Sequence, residues 1–323
     1  MTDTTSLTPQ DPPQVDQAPA TEHGVFQSPS ILFVLLRICI FTALAIGISF
    51  ALQWILATLS AGDRSPYSPI NLAISEGSSL AGAVAAGVAM SRLERRSFGE
   101  YGLPARGASG KLFWQGALLG LAEISAVIGG IAVLGSYQFG TLAIHGTDLL
   151  RWATFWAALF LMVGLYEEFA FRGYVQFTLA QGTSFWPAAV LLSVAFGVVH
   201  ITNPGESKLG IAGVILTGLL WCLTLRRTGN LWFAVGMHAS FDFGETFLYS
   251  VPDSGVVFPG HLSNATLAGP TWLTGGSTGP EASVCDFVVL VLFFFVIHWL
   301  YPRKQTVTSV PSELNCTRKA REQ

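Results

Sequence analysis

Between Tyr166 and Arg172 the chain reads Tyr-Glu-Glu-Phe-Ala-Phe-Arg, which sets two carboxylates and a guanidinium at the end of an apolar run, Trp152 to Leu165, that holds no charge. A charged side chain inside a bilayer costs about 2.5–3.5 kcal/mol on insertion scales, so three this close together point to function unless they neutralise one another. Glu168 and Arg172 stand four apart, one above the other on a helical face, with the acid on the N-terminal side that favours pairing. Glu167 is left without a partner of its own. An acid anchored by an arginine beside a second, free acid is the arrangement expected of a positioned general base.

Three more polar side chains lie in apolar surroundings downstream. Phe196-Gly-Val-Val-His200 ends one apolar run, and His238-Ala-Ser-Phe-Asp242 lies inside another, where His238 and Asp242 share a helical face. Each has a plain reading when taken alone. An intramembrane histidine can hydrogen-bond a carbonyl across a helix interface, and the acid pair can be a structural ion cluster. The conjunction changes the reading, because three acids, an arginine and two histidines fall on three apolar segments between Glu167 and Asp242.

These residues need a membrane scaffold to hold them. With 323 residues, 51% of them hydrophobic and 11% charged, and a mean hydropathy of +0.51, the chain is too apolar for an ordinary soluble domain and reads as an all-α, polytopic membrane helix bundle. A net charge of −3, with the few basic residues clustered between apolar runs, gives no sign of a basic surface, so nucleic-acid binding is not expected. Cys39 and Cys222 fall inside apolar runs, Cys285 at the edge of one and Cys316 in the polar tail, with no C-x-x-C pair. Neither a disulfide framework nor a thiolate metal site is indicated, and Cys316 is too far from Gln323 for a C-terminal prenylation box.

Residues 1–30 are rich in Pro, Gln, Thr and Asp, lack Lys and Arg, and read as a disordered tail. Without the basic start of a signal peptide, Ile31 onward is expected to be an uncleaved first span. Eight spans are expected, at about 31–58, 70–90, 112–135, 149–174, 185–202, 209–225, 230–250 and 284–302, although Arg37, Glu76 and Glu123 interrupt three of the early ones. An even count puts both termini on one side. Arg92, Arg95, Arg96, Arg106, Lys111, Arg226, Arg227, Arg303, Lys304, Arg318, Lys319 and Arg321 share that side, against Arg64, Lys208 and the boundary residue Arg151 opposite, so both termini are expected to be cytoplasmic. The expected organisation is therefore a bundle over 31–302 with a core at about 149–250, a Gly, Pro, Ser and Thr-rich extracytoplasmic loop at 251–283, and a basic cytoplasmic tail at 303–323. That loop could cap the bundle or be a loose excursion. Asn264-Ala-Thr266 matches a glycosylation sequon by letter, a match common by chance. Gly116 and Gly120, Gly82 and Ala86, and Gly210 and Gly213 read as close helix packing.

The order E-E-x-x-x-R, F-x-x-x-H and H-x-x-x-D, carried by Glu167, Glu168 and Arg172, then Phe196 and His200, then His238 and Asp242, resembles the CPBP family of intramembrane proteases. That family includes the type II CaaX prenyl endopeptidases and the bacteriocin-processing and immunity proteins. The resemblance implies an integral, multi-pass membrane endopeptidase, with the bacterial inner membrane as its expected place. Its partners would be the lipid bilayer and a membrane-associated peptide or protein substrate, lipidated or not. Glu167 and His200 would activate a water, Glu168 and Arg172 would hold their helix with Phe196 in support, and His238 would donate to the oxyanion. An ionised Asp242 cannot donate to an oxyanion, which leaves three roles: a protonated acid, an acceptor that orients His238, or a metal ligand. His200, His238 and Asp242 could hold a catalytic zinc with Glu167 as base, and a metal-free water held between Glu and His is the other form, slightly preferred. The alternative from another class is a non-catalytic protein, an immunity or scaffold protein or a proton-coupled transporter, using the acids as an ion cluster. Straight helices at ~1.5 Å per residue would leave Glu167, His238 and His200 at unequal depths, so a shared site requires tilted, short or broken helices.

Overall fold

The computed structural model describes residues 29–60, 65 and 67–302. The expected disordered tail up to residue 28, Arg64, and the basic tail 303–323 with Cys316 lie outside the described residues.

The fold is an all-α polytopic bundle. In chain order its helices are α1 (Ile31–Leu59), α2 (Pro69–Leu93), α3 (Lys111–Val133), α4 (Gly146–Glu167), α5 (Gln176–Gly182), α6 (Phe185–Val199), α7 (Lys208–Thr228), α8 (Trp232–Phe243), α9 (Thr271–Thr274) and α10 (Val284–Leu300). Local chemistry marks their ends. Ser68 accepts the amide of Asn71 ahead of Pro69 at the first helical position. Ser207 caps α7 through the amide of Gly210, and α7 ends with Arg226 and Arg227 in its last turn and Gly229 in the left-handed conformation at φ 81°.

Helices occupy all eight expected segments, but among the described residues six helical stretches are long and apolar enough to cross a membrane on their own: α1, α2, α3, the continuous run Gly146–Gly182, Phe185–Thr202, and α7. The other two segments hold α10, of 17 residues, and α8, of 12 residues. At ~1.5 Å per residue, α8 is only about 18 Å long. It is buried nearly all round and packs against α3, α4 and α7, so it behaves as a core helix enclosed by lipid-facing ones. Its contact with α3 is backbone-close. A Cβ at Gly116 would collide with the carbonyl oxygen of Phe233, and one at Gly120 with that of Met237. The small residues at G-x-x-x-G spacing thus serve packing within the chain.

Two helices depart from α geometry where the polar residues lie. After Glu167 the α4 path continues as a π-helical segment, Glu168–Val175, kinked at Gly173, and α8 continues as a second π segment, Gly244–Leu248. Such segments are frequent at functional sites.

Segment 251–283 is a cap and not a loose excursion. A short antiparallel pair, β1 (Tyr137–Gln138) with β2 (Thr266–Leu267), ties it to the α3–α4 connection. The amide of Gly205 donates to the carbonyl of Gly255 at 3.0 Å, that of Gly255 to Thr278 at 2.9 Å, and that of Leu262 to Phe247 at 3.0 Å. Among the described residues, the α3–α4 and α6–α7 connections are therefore both bound to segment 251–283. At the opposite end, Arg37 and Glu94 form a buried ion pair, and Glu94 also accepts from Tyr101 at 2.9 Å and Tyr174 at 2.6 Å. Arg37 further donates to Gln181 at 2.9 Å. The charge in α1 that interrupts an apolar span is thus neutralised inside the protein.

Candidate active site

Glu168 and Arg172 are both completely buried and pair at 3.1 Å, as their i, i+4 spacing predicts. The pair does more than hold its own helix. The same oxygen, Glu168 Oε1, also lies 3.2 Å from His238 Nδ1, which joins the π segment after α4 to α8. A carboxylate that receives Arg172 can only accept from the imidazole, so this network assigns the proton to His238 Nδ1. Nε2 is then the ring atom turned to two further acids, 3.3 Å from Asp242 Oδ2 and 3.6 Å from Glu167 Oε2. Glu167, expected to be unpartnered, therefore has His238 as its neighbour. Its side chain is 21% exposed where that of Glu168 is 0%, so Glu167 is the acid of the pair that water can reach.

Aromatic rings brace this core. The Arg172 guanidinium lies over the Phe196 ring at 4.1 Å, a cation–π contact in a dry setting, and Trp221 stacks on His238 with centroids 4.0 Å apart. Phe196 also fixes the other histidine, because its carbonyl oxygen is 2.7 Å from His200 Nδ1. With Nδ1–H donating there, His200 Nε2 keeps its lone pair.

A cavity of about 240 Å³ is lined by Glu167, His200, His238, Asp242, Phe196 and Trp221 together. His238 Nε2 and Glu167 Oε2 stand 3.6 Å apart, and His200 lines the same cavity from the end of α6, so the unequal depths expected of straight, full-length spans do not hold. Three further acids reach the same cavity, Glu76 from α2 and Asp253 and Glu281 from the cap, together with the polar side chains of Tyr67, Asn203, Thr217 and Ser254. Glu76 did carry a signal, being an acid within an apolar run. Asp253 and Glu281 carried none, since acids in a polar loop are unremarkable by composition. Burial, more than nearby acids, pushes Asp253 up to about 7 and Glu281 up to about 8.

His238 Nδ1 is committed to Glu168 and His200 Nδ1 to Phe196, which leaves the two Nε2 atoms as the ones a metal could take, but the ligand atoms of His200, His238 and Asp242 are not gathered within 4.8 Å of one another. Among the described residues, the acids and histidines whose ligand atoms gather within 4.8 Å are instead Glu245, Asp253 and Glu281.

Residues 149–244 match the family model of the Rce1-like type II CAAX prenyl endopeptidases. This stretch is similar to the CAAX protease domain of the CPBP family. No curated protein matches the chain, and no solved structure does. The matched stretch begins in α4 and ends at the first residue of the π segment after α8, so it spans every residue of the three motifs. The cavity walls reach beyond it, to Glu76 on one side and to the cap on the other.

Proposed function

We propose that this intramembrane CAAX-type protease cleaves a peptide bond in a membrane-associated, prenylated substrate, using Glu167 as general base and no metal. The reading rests on one observation: Glu167, His200, His238 and Asp242 share the wall of a single cavity, roomy enough for several waters and a stretch of peptide. Glu167 and His200 make no direct hydrogen bond, which suits a water between them. That water gives a proton to Glu167 while its oxygen attacks the scissile carbonyl. His238, aligned by Glu168 behind and Asp242 beside it, acts in its doubly protonated form: Nδ1–H stays on Glu168, and the Nε2–H that faces Asp242 is donated to the oxyanion as it forms. Collapse of the tetrahedral intermediate breaks the C–N bond, and the proton on Glu167 passes to the leaving amine. Of the three roles open to Asp242, the 3.3 Å approach to His238 Nε2 favours an acceptor that orients the ring. Glu168, Arg172, Phe196 and Trp221 are positioning residues.

The same reading puts both termini on the cytoplasmic face of an inner membrane, the catalytic core at about 149–250, and the cap 251–283 on the far side. Detergent-purified protein incubated with a prenylated peptide, with and without chelator, tests it. Cleavage that resists chelation and disappears in Glu167→Gln and His200→Ala, both still folded, is expected. Equal cleavage by the variants would return the chain to the non-catalytic class.

A further inference from the structure

Asp242 is followed within one turn by Glu245, in the π segment Gly244–Leu248. Glu245 is 0% exposed, and neither of its carboxylate oxygens has a hydrogen-bond partner. One oxygen each of Glu245, Asp253 and Glu281 lie within 4.8 Å of one another. The hydrogen bonds of the two cap acids run through single oxygens: Asp253 Oδ2 accepts from the Thr246 hydroxyl at 2.8 Å, and Glu281 Oε2 accepts from the amide and hydroxyl of Ser254 at 2.7 and 2.9 Å. Those bonds hold the two cap carboxylates in place, while the Glu245 carboxylate faces them unsatisfied.

Three carboxylates at such separations, away from bulk water, repel by several kcal/mol per pair at an effective dielectric constant of about 20. Something positive must stand among them, either shared protons or a cation. The donor set is all oxygen, without imidazole or thiolate, which is the preference of hard cations. The ligands come from one helical turn and two separate points of the cap, a geometry that tolerates an ion of variable coordination.

We propose that Glu245, Asp253 and Glu281 form a binding site for a hard divalent cation, of the calcium or magnesium kind, that clasps the cap 251–283 to the end of α8. Asp253 and Glu281 also line the catalytic cavity, so the ion would set how the cap sits over it. The site stands apart from the catalytic assignment, because it uses neither Glu167 nor either motif histidine.

The full chain in detergent, stripped with EDTA and dialysed, is titrated with calcium alone and with magnesium alone by equilibrium dialysis, with thermal unfolding followed in parallel. Saturable uptake of one ion per chain, with unfolding shifted to higher temperature, is expected for at least one of the two. Glu245→Gln and Glu281→Gln should each weaken that uptake about tenfold or more, since affinity follows ligand charge. Absence of saturable uptake by the unaltered chain, or uptake undiminished in both variants, overturns the proposal in favour of acids that share protons. Should Glu245→Gln fail to fold, Glu281→Gln and the unaltered chain decide. The readout is ion binding, so its failure leaves the cleavage assignment intact.

Discussion

His238 Nδ1 lies 3.2 Å from Glu168 Oε1, and through that one oxygen the imidazole is tied to Arg172 as well. This bond makes the acid pair part of the active-site frame and not only a helix-internal ion pair. Glu168→Gln should leave the buried Arg172 charge without its counterion and free the ring of His238. Loss of one partner of a buried pair costs about 3–5 kcal/mol, so a marked drop in unfolding temperature is expected together with loss of cleavage. An unchanged unfolding temperature would show that the pair does not brace the fold.

Glu167→Gln separates chemistry from stability. The amide is isosteric, reaches the same cavity and cannot take a proton from water, so cleavage should fall by about 10²-fold or more. The unfolding temperature should stay near that of the unaltered chain, because no strong partner is lost. Single-turnover cleavage of a prenylated peptide measures the first, and detergent thermal unfolding the second.

Trp221→Leu tests the ring that stacks on His238. Aromatic pairs contribute about 0.5–1.5 kcal/mol beyond area burial, enough to loosen the imidazole without unfolding the bundle. The expected outcome is a severalfold fall in kcat with KM little changed. A rise in KM alone would mean that Trp221 contacts substrate instead of positioning His238.

Glu94 predicts an acid limit to stability. Burial opposes its charge, but hydrogen bonds from Arg37, Tyr174 and Tyr101 outweigh that cost and hold the carboxyl below its ordinary 4.5. A folded-state value lowered in this way contributes stability that is fully present above 4.5 and is lost as pH falls through the folded value. The unaltered chain should therefore melt progressively lower below about pH 4.5, and Glu94→Gln should be less stable at neutral pH but lose less on acidification. Unfolding temperature against pH for both proteins checks the sign.

Gly120→Val places two methyl groups where the α8 backbone passes, beside the Met237 carbonyl. Overpacking of this kind costs about 1–3 kcal/mol, and here the displaced residue is next to His238. Both unfolding temperature and cleavage should drop, whereas the same change at Gly129, which has open space around it, should alter neither.

Much of this protein is written in local chemistry. Apolar runs bounded by Ser68, Ser207 and Gly229 specify where helices start and stop, because a backbone in lipid must satisfy its own hydrogen bonds. The i, i+4 spacings of Glu168 with Arg172 and of His238 with Asp242 likewise become real pairs, since helix geometry alone brings such residues together. Tertiary packing decided the rest. A short, fully enclosed α8 lifts His238 to the level of Glu167, a relation that no run length reveals, and the hydrogen bonds of the cap carry Asp253 and Glu281 to the cavity from far along the chain. Side-chain type and helical period are properties of neighbours in sequence. Depth, burial and the meeting of carboxylates from separate segments depend on which helices enclose which, and those follow only from the packed whole.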